Sequence, residues 1–415
     1  MSSPPRAMRF LPPLAALLLV GSLTLLGPGA PPGWAADPIL IGEINSYSGV
    51  ASAFTAPYRE AIKMAVEEIN ARGGALGRPI EVLFRDDKLR PDEGIKHAQE
   101  LVVQRQVAIL AGTFSSAVGL AVSEFARRAK KLFVAAEPLT DVLTWQKGHR
   151  YVFRVRPNTY EQGRMLAERA AKLPHRRYAV IGPNYEYGRK AWEGFWNRLR
   201  ELKPGVEMVA EYWPKLGEGE YSSYITGILN AKPEVVYTSL FGSDWIAFVK
   251  QASPFGLFQR AFVIGILLGE PEYIEPLGMS APEGMLVTGY PWYAIDTPAH
   301  TDFVKRYRER TGTPPRQGSL VGYITLLSIA AAIDRAGSLE TEKLVTAMED
   351  LEVSTPIGPI RYRGFDHQST MGAWIGTTKR DPQRGFGIMI DWRYVPGEEV
   401  LPGKEEVEKM RQAGQ

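Results

Sequence analysis

The 415-residue chain contains no cysteine and only five histidines. The first absence excludes disulfides, a cysteine nucleophile and a lipid carried on an N-terminal cysteine, so a lipoprotein is excluded. The histidines, at 97, 149, 175, 300 and 367, show no HExxH or other short ligand spacing, and each reads as a surface or loop residue rather than a metal ligand. No GxGxxG follows a strand, no GxxxxGKS/T is present and no GxSxG elbow occurs. The usual marks of dinucleotide, nucleoside triphosphate and serine-hydrolase sites are therefore missing. Asp86-Asp87 is an acidic pair after a strand, more readily a solvated strand end than a catalytic pair. No cofactor is implied. The formal charge is +3 with no basic block, which argues against a nucleic-acid partner.

Long apolar runs are also missing. The longest, Leu14–Leu26, has 13 residues, too short for a comfortable membrane span. Arg6 and Arg9 precede it, and Gly33-Trp34-Ala35 places small residues where a signal peptidase reads. Residues 1–35 are thus expected to be a secretory signal, with an uncleaved anchor as the alternative. Cleavage after Ala35 would leave 380 of the 415 residues and remove two arginines and no acids, taking the charge from +3 to +1. The composition, 45% hydrophobic and 23% charged, suits a chain that builds its core without disulfides, and its length allows two domains.

What is present is a rhythm of short apolar runs and amphipathic segments. Its centre is Val107–Thr144, with an apolar run ending at Gly112, then the turn Gly112-Thr113-Phe114-Ser115-Ser116. A helix follows with Ala117, Leu120, Ala121, Phe125 and Ala129 on one face, and then a second run, LFVAA. Ahead of it, Pro38–Gly42 and Ile80–Phe84 read as strands. Pro57–Arg72, with Pro57 in the first turn, and Pro91–Gln106 read as helices. Tyr151–Val155 closes this series.

A second series has strands at Tyr178–Ile181, Met208–Trp213, Glu234–Ser239, Ala261–Ile266 and Gly284–Gly289. Its helices are predicted at Thr159–Leu173, Gly188–Leu202, Tyr221–Ala231 and Ser243–Ser253. Helices at Pro298–Thr311, Gln317–Ala336 and Glu340–Asp350 follow. Ile360–Tyr362, Gly372–Thr377 and Phe386–Tyr394 read as hairpin-type strands. The predicted fold class is α/β, with two doubly wound lobes of about five strands each. Crossings are expected at Arg154–Pro157, near Val287 and at Ser354-Thr355-Pro356. Lobe 1 is then 37–156 plus 288–354, lobe 2 is 157–287 plus 355–395, and 396–415 is a polar tail expected to fray.

In such folds ligands sit beyond the carboxyl ends of strands, here between the lobes. The strand ends carry a recurring set of polar and aromatic residues. Ser46, Tyr47 and Ser48 follow the first strand, Ser115 and Ser116 the third, Glu137 and Thr140 the fourth. In the second lobe Asn184, Tyr185, Glu186 and Tyr187 follow one strand, Phe241, Gly242 and Asp244 another, and Glu270 a third. Ser115 and Ser116 open a helix whose first amides lack intrahelical partners, so they can cap it or hold a polar ligand end. Aromatic walls with a few placed polar groups are what a small-molecule pocket needs.

Several of these stretches are similar to one family. They are Ile39-Leu40-Ile41-Gly42 with the helix AIKMAVEEINARGG, Gly73-Gly74-Ala75-Leu76-Gly77-Arg78-Pro79-Ile80 with Asp86-Asp87, Gly112–Ser116, Phe153–Asn158, Tyr185-Glu186-Tyr187-Gly188 and FVKQA at Phe248–Ala252. In this order the chain resembles the periplasmic leucine/isoleucine/valine-type substrate-binding proteins of ABC transporters, of the type I fold, from about Ile39 to Tyr394. The resemblance implies two Rossmann-like lobes on a three-strand hinge, closing on one small polar ligand such as an amino acid or amide. It also implies a monomer in the periplasm that serves an ABC permease and its ATPase. By resemblance the carboxylate-binding serine falls on Ser116 with Ser115 beside it, and a second binding loop falls in Ala135–Thr140, including Ala136. An aromatic wall falls on Tyr185, a binding turn on Phe241–Asp244, and an acid for a ligand amine near Glu270.

The chain departs from the family pattern where Glu137 enters the loop Ala-Ala-Glu-Pro-Leu-Thr, and in the bulky Pro291-Trp292-Tyr293. Members with such changes bind amides, urea, aromatic acids or other small polar compounds. Two other classes remain open at this level. A receptor's ligand-sensing domain would need a transmembrane or signalling segment, and a secreted enzyme would need a convergent base and nucleophile.

Overall fold

The computed structural model describes residues 37–413, together with Met1 and Ser3. The signal segment expected at 1–35 otherwise lies outside the described residues. The first series of elements is β1 (Ile39–Asn45), α1 (Ser52–Ala71), β2 (Ile80–Asp86), α2 (Pro91–Gln99), β3 (Ile109–Gly112), α3 (Ser116–Ala129), β4 (Phe133–Ala135) and β5 (Val152–Arg154). These strands form one parallel sheet in the order β2-β1-β3-β4-β5. β3, β4 and β5 are buried along their whole length, as expected of parallel strands covered by helices on both faces.

The second series begins with α4 (Thr159–Ala170), β6 (Arg177–Ile181), α5 (Glu186–Leu202), β7 (Glu207–Tyr212), α6 (Ser222–Asn230), β8 (Val235–Thr238) and α7 (Gly242–Ala252). It continues with α8 (Leu257–Arg260), β9 (Phe262–Gly269), α9 (Pro271–Ile274) and β10 (Leu286–Gly289). The chain then forms α10 (Pro298–Thr311), α11 (Gln317–Ala336), α12 (Thr341–Met348), the hairpin β11 (Glu352–Thr355) and β12 (Gly358–Arg361), β13 (Ala373–Asp381), β14 (Phe386–Val395) and α13 (Lys404–Ala413). The second sheet has seven strands in the order β14-β13-β10-β9-β8-β6-β7, in which β13 alone runs against the others and pairs antiparallel with both β10 and β14. The fold is thus two α/β lobes, the second larger than expected because β13 and β14 extend its edge.

α10 and α11 return to the first lobe. α11 is the most apolar helix and is buried against α1, where close approach is possible because Gly318 and Gly322 face it. A Cβ on them would come within 2.2 Å of the Phe54 carbonyl oxygen and 2.4 Å of that of Tyr58.

Four local expectations differ from what is observed. α1 starts at Ser52, before Pro57, because Thr55 Oγ1 donates to the Ser46 and Ala51 carbonyls and steadies a turn that Pro57 alone does not begin. The helix after Pro91 ends its α-helical run at Gln99 and finishes in a wider π-type turn, Glu100–Gln104. Ser354-Thr355-Pro356 is no crossing. Thr355 Oγ1 accepts from Ile357 N and bonds the Gly358 carbonyl, closing the β11–β12 hairpin, whose continuation Tyr362 donates to Ser328 Oγ on α11. The chain instead passes beside β5 further on. Ser369 N donates to the Arg154 carbonyl and Gln368 Nε2 to the Arg156 carbonyl before β13 joins the second sheet. Finally, the polar end is seated rather than frayed, since α13 buries Val407 and Arg411 donates to the carbonyls of Thr144 and Phe365.

Candidate functional site between the lobes

Each strand end places a short segment at the junction of the lobes. Beyond β3, Ser115 takes the N-cap position of α3 in extended backbone without bonding the helix through its side chain. Ser116 is buried, and its Oγ accepts from Thr140 N at 3.1 Å, which ties the β3 loop to the β4 loop. Thr140 Oγ1 in turn donates to Glu186 Oε1 at 2.8 Å, on the second lobe. From that lobe, Tyr185 precedes α5 and Phe241 precedes α7.

Gly242 follows with φ +56°, a conformation that favours glycine, and a Cβ on it would lie 2.6 Å from the Val50 carbonyl oxygen of the first lobe. An aromatic series crosses the junction with ring centroids 5.5 Å apart for Phe54–Phe114, 5.6 Å for Phe114–Phe241 and 5.6 Å for Phe241–Tyr187. The lobes are therefore closed on one another.

Between them lies a narrow cavity of about 10 Å3 open to a water-sized sphere. Its walls are Phe114, Ser116, Glu137 and Leu139 from the first lobe and Tyr185, Tyr187, Phe241 and Leu267 from the second. That is room for about one water molecule, far below the roughly 300–1,000 Å3 of drug-sized sites, so a ligand fits there only when the lobes part or the walls move. Leu267 enters the wall because its backbone is left-handed, φ +72°, within β9, and its N–H donates to Thr288 Oγ1.

Behind this wall lies a buried charge bridge. Arg156, in the segment after β5, pairs with Glu137 of the first lobe and with Glu270 of the second, all three with side chains about 2% exposed. Its guanidinium also lies over the Phe54 ring, 5.3 Å from the centroid. One oxygen of each glutamate, Glu137 Oε2 and Glu270 Oε2, and Arg156 Nε have no partner. Burial pushes both carboxyls up, against the opposite pull of the Arg156 guanidinium they share. Burial also opposes the charge on Arg156, but the two carboxylates outweigh it and keep the guanidinium protonated.

Of the residues singled out in the sequence, Ser116, Glu137, Tyr185 and Phe241 meet in the cavity. Ala136 lies in the core, its N–H bonded to the Gly112 carbonyl at 2.6 Å, and Ser115, Thr140 and Gly242 frame the junction. Glu270 faces Arg156. Asp244 and Tyr47 are engaged elsewhere. Asp244 Oδ2 accepts from Gly217 N at 2.7 Å, and Tyr47 donates to Glu43, whose carboxyl burial raises to about 8.

Tyr187 was named only within the strand-end set and Leu139 only within the Ala135–Thr140 loop, while Phe114, Leu267 and Arg156 were not singled out as ligand contacts. The signal for Arg156 is the alternation Phe153-Arg154-Val155-Arg156, which puts both arginines on one side of an extended segment that is buried throughout. Nothing in the sequence announces the left-handed Leu267.

Among the described residues one serine–histidine pair links α3 to the segment before β5, Ser123 Oγ to His149 Nε2 at 2.8 Å. His149 Nδ1 accepts from Tyr151 N, so Nε2 carries the proton and donates to the Ser123 carbonyl. It is not a base for that serine.

A family model described as periplasmic binding protein matches residues 38–383, and the chain belongs to that family. Among curated relatives, the Leu/Ile/Val-binding protein homolog 7 of Brucella suis biovar 1 (strain 1330) is 26% identical over 353 residues, covering 81% of this chain and 86% of that protein. Among solved structures, the solute binding protein of an ABC transporter from Rhodopseudomonas palustris BisB5, in complex with 3,4-dihydroxybenzoic acid, has a TM-score of 0.78 at 21% identity, covering 89% of this chain and 99% of that one. The leucine-, isoleucine-, valine-, threonine- and alanine-binding protein from Brucella ovis, in its closed conformation, has a TM-score of 0.77 at 23% identity, covering 89% and 97%. These likenesses show the two-lobed fold.

Proposed function

We propose that this protein is an exported solute-binding protein of an ABC importer. It captures one small ligand between its lobes and presents the closed form to a membrane permease driven by an ATPase. The observation that carries this reading is the closed interlobe cavity, which joins aromatic walls from both lobes to Ser116 and to the half-paired Glu137. Such a lining suits a ligand with a polar end and a compact apolar body. The ligand class we favour is an amino acid or amide. Ser116 meets its carbonyl or carboxylate end, Tyr185 and Phe241 cover its body, and Glu137 receives a donor. The family membership, the names of the relatives and the 1–35 segment all support this role and a periplasmic location. Named ligands among the solved relatives include amino acids and an aromatic acid, so the test panel spans both.

The test is thermal unfolding of the mature protein, residues 36–415, with amino acids, their amides and hydroxybenzoates at millimolar concentration. A ligand at 100 times its Kd contributes about 2.7 kcal/mol, which is readily seen. Stabilisation by none of them would refute this reading of the ligand class. Native mass spectrometry of the purified protein would identify a ligand retained from the cell and report whether the protein is a monomer.

A further inference from the structure

The register between β9 and β10 breaks beside the interlobe cavity. Val287 stands opposite Gly265 and Gly289 opposite Gly269, so Ile266, Leu267 and Leu268 face Thr288 alone. Three residues opposite one form a bulge, a device by which a strand re-aims a side chain near a site. Leu267, at the centre of the bulge, is left-handed at φ +72° and puts its side chain into the cavity wall. Glycines give the bulge its room. A Cβ on Gly265 would lie 2.2 Å from Leu268 Cδ1, and one on Gly289 would lie 2.2 Å from the Gly269 carbonyl carbon. The bulge is held by a short relay of hydrogen bonds. Leu267 N donates to Thr288 Oγ1 at 2.8 Å, Thr288 Oγ1 donates to Gln162 Oε1 at 2.9 Å, and Gln162 Nε2 donates to the Pro157 carbonyl at 3.0 Å. The relay thus ends on the segment that leaves β5 for the second lobe.

The other apolar walls are held by their neighbours. Phe241 packs against both Phe114 and Tyr187, and Leu139 sits in the loop that Ser116 fixes through Thr140 N. Of the wall residues only Leu267 is left-handed, so it alone has a more favourable backbone region to move to. Leaving that region turns its Cβ relative to the flanking peptides and withdraws the side chain, at the cost of the bond to Thr288. The strain released and the bond given up are of the same order, which places the two arrangements close in free energy. We infer that Leu267 is a movable plug in the cavity, filling the place of a ligand's apolar body and setting the size of ligand that the cleft accepts. With the plug in place the cavity admits about one water molecule, and a larger body enters as the bulge turns the plug out. This deepens the solute-binding reading and rests on it for the ligand arm of the test below, whereas the exchange arm needs no ligand.

In the exchange arm, amide hydrogen exchange is followed by NMR on the wild-type mature protein without added ligand. The Leu267 N–H is bonded to a buried hydroxyl, so it exchanges only when the bulge opens. It should exchange at least tenfold faster than the amides of Val263 and Ile264, which lie earlier in the same strand. Equal protection of the three amides would show a fixed bulge and overturn the inference.

In the ligand arm, L-alanine and L-phenylalanine are probes with the same polar end and bodies of different size. Leu267→Ala removes the isopropyl group of the plug. By calorimetry, the Kd of L-phenylalanine divided by that of L-alanine should be at least tenfold lower in this variant than in the wild type, because the larger body no longer has to displace a side chain. A wall that merely touches the ligand gives the opposite sign, since its truncation takes more contact from the larger body than from the smaller. An unchanged or increased ratio would therefore overturn the inference. A wild type that binds neither amino acid nor any compound of the wider panel counts against the solute-binding reading, and the exchange arm, which also stands if the variant does not fold, then decides the role of the bulge.

Discussion

Gly242→Ala separates the cost of a backbone conformation from the cost of closing the lobes. At φ +56° an alanine in place of Gly242 is left-handed whether the lobes are open or closed, which costs about 1–2 kcal/mol of folding stability. In a protein of this size that lowers the unfolding temperature by roughly 2 °C per kcal/mol. The new methyl meets a second obstacle only in the closed form. It would lie 2.6 Å from the Val50 carbonyl oxygen, where ordinary contact begins at 3.4 Å, so the lobes must retreat by about 0.8 Å. A backbone atom cannot turn aside as a side chain can, and overpacking of this kind costs about 1–3 kcal/mol. Because 1.4 kcal/mol is tenfold in affinity, ligand Kd should rise about tenfold or more. Gly219 is the matched control, with φ +70° and nothing within 4 Å of a Cβ. Unfolding scans and calorimetry on Gly242→Ala and Gly219→Ala should give similar losses of stability, with lost affinity in the first alone. Equal ligand affinities in the two variants would refute the argument that Gly242 meets Val50 in the binding-competent state.

Other changes follow from single contacts. Ser116→Ala removes the acceptor for Thr140 N, and an unpaired buried N–H costs about 1–3 kcal/mol, so unfolding temperature and affinity should fall together. An unchanged melting curve would show that the hydroxyl is not holding the β4 loop. Leu267→Gly should be at least as stable as Leu267→Ala, against the usual order in a strand, since glycine loses one methyl more but only alanine keeps the left-handed strain of about 1–2 kcal/mol. Alanine melting above glycine would count against the strained backbone.

His300 is neutral, with Nδ1 donating to the Ile295 carbonyl and Nε2 accepting from Tyr290, and burial lowers its pKa to about 4. Its contribution is present above the unfolded value near 6.5 and is lost as pH falls towards 4, up to about 3 kcal/mol. Glu43, raised to about 8 by burial, acts oppositely. Its contribution is present below the unfolded value near 4.5 and is lost as pH rises through 8. His300→Gln should therefore flatten the acid limb of a plot of unfolding temperature against pH and leave the alkaline limb alone. An unchanged acid limb would place the titration elsewhere.

The sequence made the alternation of strands and helices legible because parallel strands are apolar along their whole length and amphipathic helices separate them. The runs around Ile109, Val134 and Val235 show this, and α10 and α11 fall where the periodicity places them. Element ends were less legible where a contact distant in sequence decides them. Thr55 bonding the Ser46 carbonyl extends α1 ahead of Pro57, and Thr355 closes a hairpin where a crossing was expected. The same limit applies to the site. Ser116, Tyr185 and Phe241 stand directly at strand ends and were legible there. Asp244 also stands at a strand end, but the backbone of Gly217, 27 residues away, claims its carboxylate. Arg156 was the reverse case, because its role depends on two glutamates 19 and 114 residues distant.

That dependence bears on how the protein closes. The Thr140–Glu186 bond, the Gly242–Val50 approach and the two arms of Arg156 are contacts that are lost if the lobes part. A ligand shifts the balance between open and closed only by the difference in its affinity for the two forms. Here the closed form already satisfies half of each carboxylate without a ligand. A ligand that paired the free oxygens of Glu137 and Glu270 would favour closure only by what exceeds the hold Arg156 surrenders to make room.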